Sequence, residues 1–425
     1  MTEILCITHK HPPCIGGMEK QSYELVTGLG RHYKTHVIAY RNDTGKVVWF
    51  LQLRSRITGI LKENPGIKLI YLNDGSMAVA CLWLLKRTNL PVIVTFHGLD
   101  ITLPSFVFQR LLIPKMTRYS GAVCVSKFTM NEVLRRGFNE KTTFTVNNGV
   151  DTGMDKIPVN KDYPQLIRDK YGIDLSGKHI LFTTGRPVKR KGFSWFIKNV
   201  MPLLNNDIVL LMAGPLNTHQ NIFQKAIRYL TGVFSPTLQL MLGLDSDANS
   251  ISKEILKSKN SYHLGRVPHE DLLQLLSLAD LFIMPNIKVP GDEEGFGLVA
   301  LEANMRGTFV LASGIEGITD AVIDGENGYH LPAGDSRVWA NTIHEVLRDK
   351  AQLDMLSQKA KEYVKKNYSW DIMVEKYKEI FDSLAFSDTS PSDTSPTISD
   401  TYRFNFPINK KRLPDDGQSR QFYRT

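Results

Sequence analysis

"LFIMPNIKVPGDEEGFGLVALEANMRG" runs from Leu281 to Gly307. It opens on an apolar run that reads as a buried strand ending near Pro285. A polar loop follows, carrying Glu293 and Glu294. Gly295-Phe296 then leads into an apolar stretch, "GLVALEANM" from Gly297 to Met305, that reads as a helix. A buried strand that turns through glycines into a helix is half of a βαβ unit, and such units build parallel sheets.

The helix start also suggests chemistry. Its first turn presents unpaired N–H groups and a positive dipole end. Glycines let a ligand approach the backbone closely. Together they make an anion site, for which a diphosphate is the natural guest. Glu302 lies more than one turn after Gly297, where a carboxylate accepts from ribose hydroxyls in dinucleotide-binding folds. Glu294, before the turn, could accept from sugar hydroxyls beyond the phosphate. The spacing also suits an ordinary helix-start acid and a solvated glutamate.

Working outward, the same alternation fills most of the chain. "EILCIT", "THVIAY", "IKLIYL", "PVIVTF" and "GAVCVS" read as buried strands, with "MEKQSYELVTGLG" and "SMAVACLWLLKR" as helices between them. After a polar stretch the pattern restarts. "HILFTTG", "DIVLLMAG", "SYHLG", "DLFIMPN" and "TFVLAS" are strands, and "GFSWFIKNVMPLL" and "HEDLLQLLSLA" are helices. Near-continuous apolar strands between helices predict two parallel, doubly wound α/β domains. Residues 216–259 are longer than a crossover needs and read as helical, without a functional account. "SWDIMVEKYKEIFDSL" (369–384) is an amphipathic helix, and the tandem repeat "SDTSPSDTSP" opens a polar tail, 387–425, that reads as disordered.

Length and composition agree with this division. A chain of 425 residues exceeds one ordinary core and suits two domains. It is 42% hydrophobic and 22% charged, ordinary for a globular protein. No apolar run reaches the roughly 20 residues that span a bilayer, and "MTEILCITH" lacks a basic n-region, so a cytoplasmic setting is expected. Cys6, Cys14, Cys81 and Cys124 show no metal-type spacing. The net charge of +9 favours anionic partners, but no nucleic-acid-binding signature accompanies it.

Three further clusters sit at strand ends. "TTGRPVKRKGFSWF" (183–196) sets Arg186, Lys189, Arg190 and Lys191 between a strand and a helix. Such cations can hold phosphate oxygens and stabilise a leaving diphosphate, though a charge run is also a common solvated loop. "THKHPPCIGGMEKQSYEL" (8–25) puts Gly16 and Gly17 before a helix, which is either a phosphate turn or a simple turn. His97, in "VIVTFHGLD", lies just past a strand, where a histidine either reaches a cleft or supports the fold.

In order, "GGMEKQSYEL", "TFHGLD", "NNGVD", "GRPVKRKG", "AGP", "LGRVPHEDLLQLLSLADLFIMPN", "EEGFGLVALEANMRG" and "DGENGYHLPAGD" resemble the retaining glycosyltransferases of family 4. The resemblance covers about residues 1–384. It implies the GT-B fold, two doubly wound Rossmann-like domains facing across a cleft. The expected parts are an acceptor-side domain at 1–155, a linker at 156–172, a nucleotide-sugar domain at 173–368, and a helix at 369–386 returning to the first domain. The donor would be a UDP- or GDP-sugar, without permanent cofactor or metal. The acceptor would be a sugar, lipid-linked or other hydroxyl. By match, Arg186 and Lys191 would contact the diphosphate, Glu302 the ribose and Glu294 the donor sugar. Gly295, Phe296, Gly297 and Leu298 would support sugar and phosphate through their backbone. Gly16 and Gly17 would close over the phosphate, and His97 would lie at the reaction centre.

Three stretches depart from the family pattern. "YLNDGSM" carries Asn73 and Asp74 where a histidine-rich turn is usual. "SGIEGITD" has Glu316 for a glycine and Asp320 for a glutamate, and "EANMRG" replaces the common "EAMA-G". A non-catalytic sugar-nucleotide-binding protein and an epimerase or phosphorylase of the same fold are the alternatives. Residues 105–141 hold seven Lys/Arg against two Glu, with Phe106, Phe108, Leu111 and Leu112 as an apolar edge. That mixture suits an anionic membrane surface, hence a peripheral location at the inner face of the membrane, or else a solvated face.

Overall fold

The computed structural model describes residues 1–14, 16–41, 45–216 and 246–385. The tail at 387–425 and most of the 216–259 segment lie outside the described residues.

Six parallel strands form the first sheet: β1 (Glu3–Thr8), β2 (Lys34–Ala39), β3 (Ile67–Leu72), β4 (Val92–Phe96), β5 (Gly121–Cys124) and β6 (Thr143–Thr145). Their order is β2-β1-β3-β4-β5-β6. The second sheet holds β7 (His179–Thr184), β8 (Ile208–Ala213), β9 (Ser261–His263), β10 (Leu281–Met284), β11 (Phe309–Ser313) and β12 (Gly328–Leu331). Their order is β12-β11-β10-β7-β8-β9, again with every pairing parallel. Helices cover both faces, which explains the unbroken apolar runs: all six residues of β8 are buried.

The strand orders locate the crevices. In the first sheet the chain leaves β1 for β2 on one side, then returns to β3 on the other. In the second it builds β7, β8 and β9 outward, then crosses back to β10. Each reversal opens a crevice beyond the strand ends, and ligands of open α/β sheets bind there. The glycine turn at 16–17 follows β1. The cationic loop follows β7, and the Glu294 loop follows β10.

Several elements differ from the sequence reading. Residues 76–87 do not form one helix. Gly75–Ala80 is helical, Cys81 breaks the line, and Leu82–Lys86 is a 3-10 turn. Helix Phe193–Asn199 likewise gives way to a 3-10 turn, Met201–Leu203, at Pro202, which cannot continue the ladder. Helix Lys46–Glu63 has no counterpart in the sequence reading. Its buried stripe is only Trp49, Leu53 and Ile57, while Val47, Val48 and Leu51 are exposed, so its period is blurred. The stretch read as a linker carries helix Tyr163–Tyr171, which packs Tyr163 and Ile167 into the second domain's core. Phe108 is buried in the first core rather than standing at an apolar edge.

Helix Trp370–Ala385 packs on the first sheet. Met373, Val374, Tyr377, Ile380 and Phe381 share a core with Ile4, Cys6, Leu25, Leu69, Tyr71 and Ile93. The buried Tyr377 hydroxyl is satisfied by Thr95 Oγ1 at 2.9 Å, which in turn meets the Tyr71 hydroxyl at 2.8 Å. The C-terminal end of the described chain is therefore part of the first domain's stability. Truncating Phe381, fully buried there, to alanine is expected to cost about 3–5 kcal/mol. Chemical denaturation monitored by circular dichroism checks this, and an unchanged midpoint would show the helix to be dispensable.

Candidate active site

Two positively charged residues and two carboxylates meet between the loops after β7 and β10. Gly185 leaves β7 at φ 150, and a 3-10 turn spans Lys189–Lys191. Gly192, at φ 68, lies so near the end of β10 that a Cβ would stand 1.9 Å from the Pro285 carbonyl oxygen. Only glycine fits there, and the tight contact aims the preceding cations at the β10 loop. Lys191 Nζ lies 2.7 Å from Glu294 Oε2. Arg190 reaches the same oxygen at 3.3 Å and Asp292 Oδ1 at 2.7 Å. Asn286 Nδ2 adds a bond to Glu294 at 3.3 Å. Arg186 is exposed and stands outside these bonds.

Burial by itself would raise the Glu294 carboxyl, but Lys191 and Arg190 overcome it and hold the group down at about 2. Burial lowers the Lys191 ammonium, and Glu294 only partly offsets this. Both groups are desolvated charges that depend on each other, a costly arrangement kept where a site requires it.

Helix Leu298–Met305 starts at Gly297, φ 108, with no side-chain cap. Its first-turn amides thus lack a side-chain acceptor at the N-cap. The Phe296 side chain is buried beside Tyr368, leaving its backbone as the part available to a ligand. Leu298 approaches the first domain: its Cδ1 would lie 3.2 Å from a Cβ on Gly17.

The first domain supplies the opposing wall. A Cβ on Gly295 would stand 1.8 Å from the His97 carbonyl oxygen, so the two backbones touch across the cleft. His97 donates from Nε2 to the Asn73 carbonyl at 2.9 Å, which leaves Nδ1 as the acceptor nitrogen. Its own amide is held by Asp100 Oδ1 at 2.7 Å. The buried Asp74 carboxylate stands 3.0 Å from His9 Nδ1. Thr102 donates to Glu293, and the amide of Lys127 donates to Asp320 at 3.1 Å, both across the domains.

Several site groups were not assigned from sequence. Lys20, from the first helix, bonds Glu302 Oε1 at 2.9 Å, so the expected ribose carboxylate carries an ion pair across the cleft. Glu19 folds back over the glycine turn, its Oε2 lying 2.3 Å from where a Gly16 Cβ would be, and Lys10 holds it at 3.2 Å. The Gly16-Gly17 turn is therefore covered by the chain's own carboxylate. An acid in the first turn of a helix was the only signal. Arg190 was one of four indistinguishable cations, yet it is the buried one paired twice. Glu316 accepts from the Glu294 amide at 2.6 Å.

The family model described as glycosyl transferases group 1 matches residues 165–363, and the model of glycosyltransferase family 4 matches residues 15–153. Among similar proteins, a phosphatidyl-myo-inositol mannosyltransferase of Mycobacterium leprae is 24% identical over 371 residues, 86% of this chain and 85% of the relative. A D-inositol 3-phosphate glycosyltransferase of Corynebacterium efficiens is 30% identical over 218 residues, 50% of this chain and 44% of the relative. The fold matches Anabaena Alr3699/HepE in complex with UDP and glucose, with a TM-score of 0.66 at 18% identity over 90% of this chain and 100% of that one.

Replacing Arg190 by methionine leaves Asp292 and Glu294 buried without their shared partner. The expected cost is about 3–5 kcal/mol, read as a fall in the unfolding midpoint. An unchanged midpoint would mean that the pair contributes nothing to the fold.

Proposed function

This chain belongs to the family 4 glycosyltransferases, and we propose that its cleft moves a sugar from a UDP- or GDP-sugar to an acceptor hydroxyl with retention at the anomeric carbon. It is an enzyme of glycosyl transfer in glycan or glycolipid assembly. The observation that carries the donor-site reading is the buried Lys191–Glu294 pair at the crevice of the second sheet, opposite the His97 backbone.

An entering diphosphate offers Lys191 an anion to replace the carboxylate. Arg186 is exposed and close enough in sequence to join it. Glu294, released from Lys191, then accepts from donor sugar hydroxyls while Arg190 keeps its charge balanced. Glu302 exchanges Lys20 for ribose hydroxyls. The uncapped first turn of helix Leu298–Met305 supports the phosphate through backbone N–H groups.

In the transfer itself the bond between the anomeric carbon and the phosphate oxygen breaks, and its electron pair leaves with the diphosphate. The acceptor oxygen bonds the same face of the sugar, and its proton passes to the departing phosphate oxygen. Lys191, Arg186 and the helix amides stabilise the charge that grows on the leaving group. His97 stands at the acceptor side with Nδ1 as an acceptor, suited to a substrate hydroxyl. The acceptor-side departures, Asn73 and Asp74, are buried behind this wall, where Asp74 holds His9 and the Asn73 carbonyl holds the His97 ring.

An acceptor carried on lipid would bring the enzyme to a membrane. No helix among the described residues is long and apolar enough to cross one. The helical stretch 106–116 instead exposes Phe106 by 76%, Val107 by 54% and Leu111 by 53%, beside exposed Arg110 and Lys115. Apolar groups among cations can rest on anionic lipid. Flotation with phosphatidylserine-containing vesicles is expected to carry the protein. The double variant Phe106→Ser, Leu111→Ser should then stay in solution, and equal flotation of both proteins would remove this surface from consideration.

The donor is tested by nucleotide release from a panel of UDP-, GDP- and ADP-sugars, with a hydroxyl acceptor mixture present. Release from one donor, lowered about 10²–10³-fold by Lys191→Ala, is expected. Full turnover in Lys191→Ala would remove it from the leaving-group site. Full turnover in His97→Ala would likewise move the reaction centre elsewhere.

A further inference from the structure

The turn after β11 runs Gly314-Ile315-Glu316-Gly317 and faces the loop that carries Glu294. Glu316 has φ 53, the only non-glycine with a positive φ among the described residues. A side chain with a Cβ is disfavoured there and persists where its surroundings fix it. Those surroundings are the backbone of Glu294. Its amide donates to Glu316 Oε2 at 2.6 Å, and its carbonyl accepts from the Gly317 amide at 3.0 Å. A Cβ on Gly317 would stand 1.9 Å from the Gly295 carbonyl oxygen, so turn and loop touch backbone to backbone.

Glu294 is thus held at both levels. Lys191, Arg190 and Asn286 fix its carboxylate, while Glu316 and Gly317 fix its main chain. We propose that Glu316 is a positioning residue of the transferase site, whose carboxyl group fixes the Glu294 amide and through it the aim of the Glu294 carboxylate at the donor sugar. The proposal rests on the donor-site reading of the cleft. A glycine at this turn would leave the amide without that bond, and this chain accepts a strained backbone in exchange for it.

The groups facing Glu316 set its charge. Glu293 and Glu294 approach from the β10 loop and Arg190 from the β7 loop, while Asp320 on its own side turns to the Lys127 amide. Burial pushes the Glu316 carboxyl up to about 7, opposed by the Glu294 amide and reinforced by the two glutamates. Protonated or ionised, the group can accept from the amide. Ionised, it also sets a second negative charge beside Glu294 and against an incoming diphosphate. Donor affinity therefore falls as pH rises through the neutral range.

The test compares wild type, Glu316→Gly, Glu316→Gln and Lys191→Ala with whichever panel donor the wild type turns over. Glu316→Gly should lose at least about tenfold in kcat through misplacement of Glu294. Its KM should change less, and its Tm should be equal or higher because glycine takes this φ freely. Glu316→Gln keeps an acceptor oxygen, so it should recover most of that kcat and abolish the rise in donor KM above neutral pH. Wild-type kcat in Glu316→Gly overturns the proposal, as does a kcat loss matched by a fallen Tm. If Lys191→Ala is meanwhile inactive, the donor site stands without Glu316 as its support. No turnover of any panel donor by the wild type, or full turnover in Lys191→Ala, overturns the donor site and the proposal together.

Discussion

Buried charge at the end of β10 is the constraint on which the site depends. Glu294, Lys191, Arg190 and Asp292 are withdrawn from water in a space between two strand ends. None of these ions could stay charged there alone, since an isolated buried charge costs several kcal/mol. Each therefore fixes its neighbours, and the two loops that carry them must lie together. The strand order makes this possible, because β7 and β10 are neighbours although about a hundred residues separate them in the chain. Glycines at 185 and 192 let the cationic loop close down on the β10 end, where any Cβ at 192 would collide with backbone.

A second constraint joins the domains. Gly295 meets the His97 carbonyl, and Gly317 meets the Gly295 carbonyl, so three segments from two domains touch through backbone. Main-chain contacts of this kind leave little room for a shift of the loop relative to the first domain. The ion pair of Lys20 with Glu302 and the hydrogen bonds at Glu293 and Asp320 act over the same boundary. Any ligand that took Glu302 from Lys20 would therefore remove one of the contacts between the two halves.

Ten of the twelve strands were legible, most of them because burial on both faces leaves an apolar run, whereas the short β6 and the glycine-led β12 carry too few apolar residues to stand out. The same logic found the glycine-led helix at 298–305 and the C-terminal helix. It failed where packing overrides pattern. Lys46–Glu63 buries a narrow stripe and exposes Val47, Val48 and Leu51, so its helical period is blurred. Tyr163–Tyr171 looked like linker because its two buried side chains sit among charges. At the site, sequence placed the cations and acids in the right loops but could not rank them. Arg190 and Lys191 both meet Glu294 a hundred residues away, and Arg190 alone also meets Asp292. Lys20 and Glu302 are 282 residues apart and paired by the fold alone. The departure at Glu316 was visible, whereas its bond to the Glu294 amide was not.

Charge balance gives these pieces one logic. Without a donor, Lys10 is matched by Glu19, Lys20 by Glu302, and the Arg190–Lys191 pair by Asp292 and Glu294. The interior is close to neutral, and a diphosphate brings at least two negative charges into it. On the proposed donor site, Lys191 released from Glu294, the exposed Arg186 and the uncapped amides of helix Leu298–Met305 would receive them. Another ionised carboxylate would tip this balance against the donor. Burial raises both Glu293 and Glu316, and the second reaches about 7, where it can stay protonated at neutral pH. A carboxylic acid at that turn supplies a hydrogen-bond acceptor for the Glu294 amide without adding charge. That is a service glycine cannot perform and an aspartate or glutamate in water would perform only with its charge.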